Sequence, residues 1–234
     1  MTADAHERKE FVMIGDILNK QGDGAGEIDR PAQTRSCEIM FLLDSSGSMD
    51  EFASEAVEQF NAFLAEQWRH AQPDALMSLS LFNDDLHVIN EGQSILRLCR
   101  LSQDDYEPDG NTALVDALGK TIASGMTRHA LTERPVRTLV VLLTDGRENA
   151  SRKYTIPTVR SMVERARRHF GWEFLVIGVG VDASEIARDL GILPHLALSV
   201  ARGPDSLRAA FQAASGASCA ALRGEEIKLL AGGK

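Results

Sequence analysis

From residue 37 onward, short unbroken apolar runs alternate with stretches in which apolar residues recur every three or four positions. The run CEIMFLL, residues 37–43, reads as a buried strand that stops at Asp44. Residues 50–70 then carry Phe52, Ala56, Phe60, Phe63, Leu64 and Trp68 at helical spacing. ALMSLSLF (75–82) alternates as a strand, and DLHVIN (85–90) reads as its hairpin partner across Asn83-Asp84. A helix is predicted from Thr112 (TALVDALGKTIASGM). The continuous run RTLVVLLT (137–144) has the pattern of a central parallel strand, buried on both faces. Residues 156–170 return to helical spacing, with Ile156, Val159, Val163 and Ala166 inward. WEFLVIGVG (172–180) reads as another buried strand, ASEIARDLG (183–191) as a short helix closed by Gly191, and HLALSV (195–200) as a weaker last strand. PDSLRAAFQAAS opens a C-terminal helix, with Asp205 or Ser206 as its predicted cap. Strand and helix alternating around one early hairpin predict an α/β fold: a doubly wound, mostly parallel sheet with one antiparallel strand.

Residues 1–36 follow a different pattern. ERKEFVMIGDILNK can form a short amphipathic helix with Phe11, Ile14, Ile17 and Leu18 on one face, and QGDGAGEIDRPAQTR reads as a glycine- and charge-rich linker. We therefore divide the chain into an N-terminal arm, 1–36, lying on a main domain, 37–234.

Composition narrows the function. With 234 residues, 44% hydrophobic and 25% charged, the chain can bury a single large core without staples. A net charge of −9 argues against nucleic acid as a partner. No run approaches the roughly 18 apolar residues of a membrane span. The start, MTADAHERKE, lacks the basic and then apolar pattern of a signal peptide. Cys37, Cys99 and Cys219 are an odd number without metal-like spacing, which fits reduced thiols. The expected location is cytoplasmic.

The chemistry concentrates where strands end. The first predicted strand runs into Asp44-Ser-Ser46-Gly-Ser48, and the run 137–144 into Asp145. The loop YEPDGN leads to Thr112. Loops at the carboxyl edge of a doubly wound sheet converge, so Asp44, Ser46, Ser48, Thr112 and Asp145 can meet. Two carboxylates and three hydroxyls form an all-oxygen set suited to a hard divalent cation: Mg²⁺ first, with Mn²⁺ or Ca²⁺ also compatible. Two anionic ligands at most balance such an ion, leaving it able to accept a carboxylate from another molecule.

Other chemistries fit less well. A nucleophilic serine needs a base, and none of the histidines neighbours Ser46 or Ser48, although His87 or His129 could approach in space. A haloacid-dehalogenase-like site would place an aspartate where Ser46 stands. A phosphate loop would need glycine spacing and a lysine that are not there. Asp50, Glu51, Asp109, Arg147 and Glu148 are expected to rim the site, with Arg147 poised to pair with an incoming carboxylate. Asp116 is expected to bond a nearby loop, and Arg160, Arg165, Arg167 and Arg168 to form a solvated helix face around Glu164. Trp68 and Trp172 fit core or helix-edge positions.

The set Asp44-x-Ser46-x-Ser48, Thr112 and Asp145 resembles the metal-ion-dependent adhesion site of von Willebrand factor type A domains, over about residues 37–216. GNTALVDALG and TDGRENAS look like bacterial, intracellular members in particular. The resemblance implies a Rossmann-like, six-stranded sheet with helices on both faces and one antiparallel edge strand. It implies that Ser46 and Ser48 ligate the metal directly and Thr112 directly or through water. Asp44 and Asp145 would mainly hold coordinating waters. It further implies a non-enzymatic domain that binds a protein ligand through an Asp or Glu, within a multiprotein or ATPase-linked complex. The alternative reading is a metal-dependent hydrolase or phosphatase using the same acidic site.

Overall fold

The computed structural model describes residues 36–132 and 136–229. The amphipathic and linker segments expected within residues 1–35 lie outside the described residues. Six strands form one sheet: β1 (Cys37–Asp44), β2 (Leu76–Phe82), β3 (Leu86–Ser94), β4 (Arg137–Thr144), β5 (Glu173–Val179) and β6 (Ala197–Val200). Among the described residues, five α-helices flank it: α1 (Ala53–His70), α2 (Leu114–Ala130), α3 (Ile156–Phe170), α4 (Ala183–Leu190) and α5 (Pro204–Leu222). The spatial order is β3-β2-β1-β4-β5-β6, with only the edge strand β3 antiparallel.

This order follows from the hydrophobic pattern. Every residue of β1 is buried, as are all but the first of β4 and of β5, so these strands need cover on both faces. On one face Phe41 meets Phe60 and Phe63 of α1 at ring-centroid distances of 5.6 and 5.0 Å. It stacks on Phe211 of α5 at 5.9 Å. On the other face its neighbour Met40 meets α2. There Gly125 has no side chain because a Cβ would fall 2.4 Å from Met40 Cε and 2.7 Å from Trp172. Helix α3 packs between α2 and α4. Trp172 is buried, and Trp68 packs at the core's edge with its indole N–H on the Ile95 carbonyl.

Several boundaries differ from the expectation. A 3₁₀ turn, Gly47–Phe52, precedes α1 and buries Met49 and Phe52. Helix α2 begins at Leu114, so Thr112 stays in the loop before it. Helix α5 begins at Pro204 after Gly203, not at an Asp205 or Ser206 cap. Proline suits the first helical position because its missing N–H has no partner there. Ile156 is 38% exposed as the first residue of α3, while Val159, Val163 and Ala166 are fully buried. The arginine-rich face of α3 is also less solvated than expected. Arg160 and Arg167 donate to carbonyls at the end of α4, Asp189 O and Gly191 O. Cations there complement the carbonyl-rich helix terminus.

The amino edge of the sheet is tied by a buried acid. Glu38 accepts from Arg128 and from the Ser78 hydroxyl at 2.5 and 2.7 Å, and lies 2.6 Å from His129 Nε2. Burial alone would push this carboxyl up. The His129 hydrogen bond, the Arg128 charge and the Ser78 hydroxyl outweigh burial and hold it below its ordinary 4.5. A depressed folded pKa contributes its full stabilisation above the unfolded value and loses it as pH falls through the folded one. Urea denaturation of the wild type should therefore show stability dropping below about pH 4.5. Glu38→Gln should flatten that acid limb and cost about 1–2 kcal/mol at pH 7, because Arg128 loses its buried partner but keeps Glu91, 2.6 Å away.

Candidate metal centre

Between β1 and β4 the strand order reverses, since β1 connects toward β2 and β4 toward β5. β1 ends in Asp44 and β4 runs directly into Asp145 at this switch point, where the crossing connections leave a crevice. Leu43 pairs with Leu143, which brings Asp44 beside Thr144. The Thr144 hydroxyl donates to Asp44 Oδ2. Asp44 Oδ1 accepts from the Ser46 N–H at 2.7 Å, and the buried Tyr106 hydroxyl donates to the Asp44 carbonyl at 2.5 Å. These donors are neutral. Burial pushes the Asp44 carboxyl up against the Thr144 and Ser46 hydrogen bonds, and the charge of Asp145 adds to the rise. A buried carboxylate in this state favours a nearby positive charge.

The serine turn closes over the acid. Ser46 Oγ and Ser48 Oγ lie 3.2 Å apart, and the Ser48 hydroxyl donates to Asp145 Oδ1 at 2.6 Å. Burial of Met49 and Phe52 pins the turn, so Ser48 is held at the mouth rather than by its own packing. The Gly47 N–H donates to the Gly110 carbonyl and the Asp109 N–H to the Ser45 carbonyl, at 3.1 and 3.0 Å. These bonds join the first loop to the one that carries Thr112.

Thr112 is fixed from a third side. Its N–H donates to Asn149 Oδ1 at 2.8 Å, and the Asn149 N–H returns to the Thr112 carbonyl at 3.1 Å. Its hydroxyl lies so close to Gly146 that a Cβ there would sit 2.6 Å away. Thus the structure brings all five sequence-selected residues to one sheet edge. Asp44, Ser46, Thr112 and Asp145 are buried, whereas Ser48 is exposed and faces the opening. Two carboxylates and three neutral hydroxyls around an acid that burial destabilises can hold a hard divalent cation.

The rim is built differently from the expectation. Arg147 turns outward to Glu185, 2.6 Å away. Glu148 accepts from the Val115 N–H at 2.8 Å and from the Ala150 and Ser151 N–H groups, so it caps α2 instead of facing a partner. Asp116 does bond a loop as expected, accepting from the N–H groups of Arg152, Lys153 and Tyr154. His129 is committed to Glu38 at the opposite edge, and His87 stands on β3, two strands from β1. The arginine at the site is Arg202, from the loop between β6 and α5. Its guanidinium donates to Asp145 Oδ2, the Ser48 carbonyl and Glu51 Oε1, at 2.8, 2.8 and 2.6 Å, and lies over the Phe52 ring. A lone arginine in the sequence ARGP has no spacing that marks it. Only the path of the last loop carries it here.

Comparison with solved structures finds the same fold at low identity. A von Willebrand factor type A protein from Catenulispora acidiphila aligns with a TM-score of 0.56 and 16% identity, over 79% of this chain and 43% of that one. The proximal thread matrix protein 1 of the mussel byssus, with a zinc-occupied metal-ion-dependent adhesion motif, gives 0.55 and 17%, over 80% and 46%. The manganese-loaded TRAP protein of Plasmodium vivax gives 0.53 and 17%, over 76% and 72%. The chain thus spans under half the length of the first two. Among curated proteins none matches. The sequence profile of the von Willebrand factor type A domain matches residues 38–208. With that match spanning most of its length, and with the sheet order and switch-point site just described, the chain belongs to the von Willebrand factor type A domain family.

Proposed function

We propose that this chain is a non-enzymatic protein-binding domain whose carboxyl-edge site holds a divalent cation, Mg²⁺ first, and takes an Asp or Glu from its partner. The observation that carries the reading is the meeting of Asp44, Ser46, Ser48, Thr112 and Asp145 at the β1/β4 switch point, with Asp44 buried among neutral donors. Ser46, Ser48 and Thr112 offer neutral oxygens. Asp44 and Asp145 supply the negative charge and orient the serine turn. When bound, the cation supplies a Lewis-acidic position for an incoming carboxylate. The exposed Ser48 marks the side on which a partner's acid would arrive.

Arg202 bears on the same site. Its guanidinium offsets the charge of Asp145 and holds one of its oxygens, so it competes with a cation for that carboxylate. It also offers a positive rim to an acidic partner, the part assigned from the sequence to Arg147.

Thermal unfolding should rise with Mg²⁺ or Mn²⁺ and return with chelator, by about 2.7 kcal/mol at a hundred times the dissociation constant. Ser46→Ala/Ser48→Ala should abolish the response. An equal response in that double variant would refute the cation site. Turnover of a phosphate monoester with Mg²⁺, lost in Asp44→Ala, would instead make the chain a hydrolase. Arg202→Gln should raise Mg²⁺ affinity several-fold in calorimetry while weakening capture of immobilised Asp- or Glu-bearing peptides. Unchanged Mg²⁺ affinity would show that Arg202 is only a structural tie.

A further inference from the structure

We infer a second metal site, for a zinc-class ion, formed by Glu66, His70 and Cys219 at the end of the molecule where α1 and α5 terminate. One ligand atom from each of the three lies within 4.8 Å of the other two. Glu66 and His70 are one helical turn apart on α1, with Glu66 Oε1 3.1 Å from His70 Nε2. Cys219 comes from the last turn of α5, and Gln67 binds both it and Ser215 of the same helix. The last turns of the two helices therefore lie side by side at this spot. Helix C-termini favour cations within their last turn.

The donor set differs in kind from the all-oxygen cup. A thiolate, an imidazole nitrogen and a carboxylate oxygen select zinc over magnesium. Thiolate and carboxylate together balance a dication. Bond lengths of roughly 2.0–2.3 Å require donors roughly 3.3–3.6 Å apart, so closure needs a movement of about 1 Å. The two helix residues have that freedom, since the side chains of Glu66 and His70 are 38% and 35% exposed. Cys219, by contrast, is buried and supplies the fixed wall. Arg69 holds Glu66 Oε2 at 2.6 Å, which leaves Oε1 to the metal. On binding, the S–H bond of Cys219 breaks, its proton leaves to solvent and an S–Zn bond forms. Water fills the fourth position from the open side. The ion would join α1 to α5 at the edge remote from Asp44 and Asp145.

This inference is independent of the function proposed above, and the test keeps the two sites apart. With excess Mg²⁺ present, the full chain is titrated with Zn²⁺ by calorimetry and with Co²⁺ by absorption. One tight equivalent of Zn²⁺ is expected, with a near-ultraviolet thiolate-to-cobalt band. Cys219→Ser should remove both. His70→Gln should lower Zn²⁺ affinity at least about tenfold. Ser46→Ala/Ser48→Ala and Cys99→Ser should leave both signals intact. His70 is half-exposed on a helix surface, so its variant tests the site even where Cys219→Ser lowers stability. Absence of Zn²⁺ binding in Mg²⁺, or a band that survives Cys219→Ser or disappears in Cys99→Ser, overturns the site.

Discussion

Two carboxylates held at the same end of neighbouring parallel strands are the constraint around which the carboxyl edge of this sheet is arranged. Asp44 ends β1 and Asp145 directly follows β4 where the winding reverses, the place where doubly wound sheets open a crevice. Bringing two acids into a buried place is costly unless each is satisfied. The structure satisfies them unequally. Asp145 receives a hydroxyl from Ser48 and the Arg202 guanidinium. The Asp44 carboxyl accepts from neutral donors, the Ser46 N–H and the Thr144 hydroxyl, and burial pushes it up. Under the proposed function, that asymmetry is what a bound cation would relieve.

Rigidity at this edge comes from backbone bonds between loops that are remote in sequence. Gly47 to Gly110, Asp109 to Ser45 and Thr112 to Asn149 join three loops into one rim. Asp116 and Glu148 spend their charges on loop and helix N–H groups beneath it. A site positioned in this way needs little reorganisation to accept a ligand, which is where binding free energy is otherwise lost. The amino edge is organised differently: Glu38, Arg128, His129 and Ser78 form a buried, mutually satisfied cluster. One end of the sheet has its charges internally matched, whereas at the other Asp44 is buried without a cationic hydrogen-bond partner among the described residues.

Much of this was legible in the sequence because local rules govern it. A continuous apolar run must be buried on both faces, so β1, β4 and β5 were recognisable as central strands. Gly191 ends α4 in the left-handed conformation that glycine adopts readily. Errors fell where local rules compete with packing. Thr112 sits outside the helix it borders, whereas Asp205 and Ser206 sit inside α5 instead of capping it, because Pro204 already takes the first helical position. Arg147 was assigned to the site by proximity in sequence, yet its side chain follows Glu185 on α4.

The sequence alone determined the strand and helix alternation, the all-oxygen donor set and the five residues Asp44, Ser46, Ser48, Thr112 and Asp145. These depend on residue type, spacing and strand termini, all local properties. Only the tertiary structure decided which charged side chains accompany them. It turned Arg147 to Glu185 and brought Arg202 to Asp145, turned Glu148 inward as a cap, sent His129 to Glu38, and set Cys219 beside Glu66 and His70. Each of those pairings joins parts of the chain that only the packing of helices on the sheet brings within hydrogen-bonding reach, and no periodicity records such a distance.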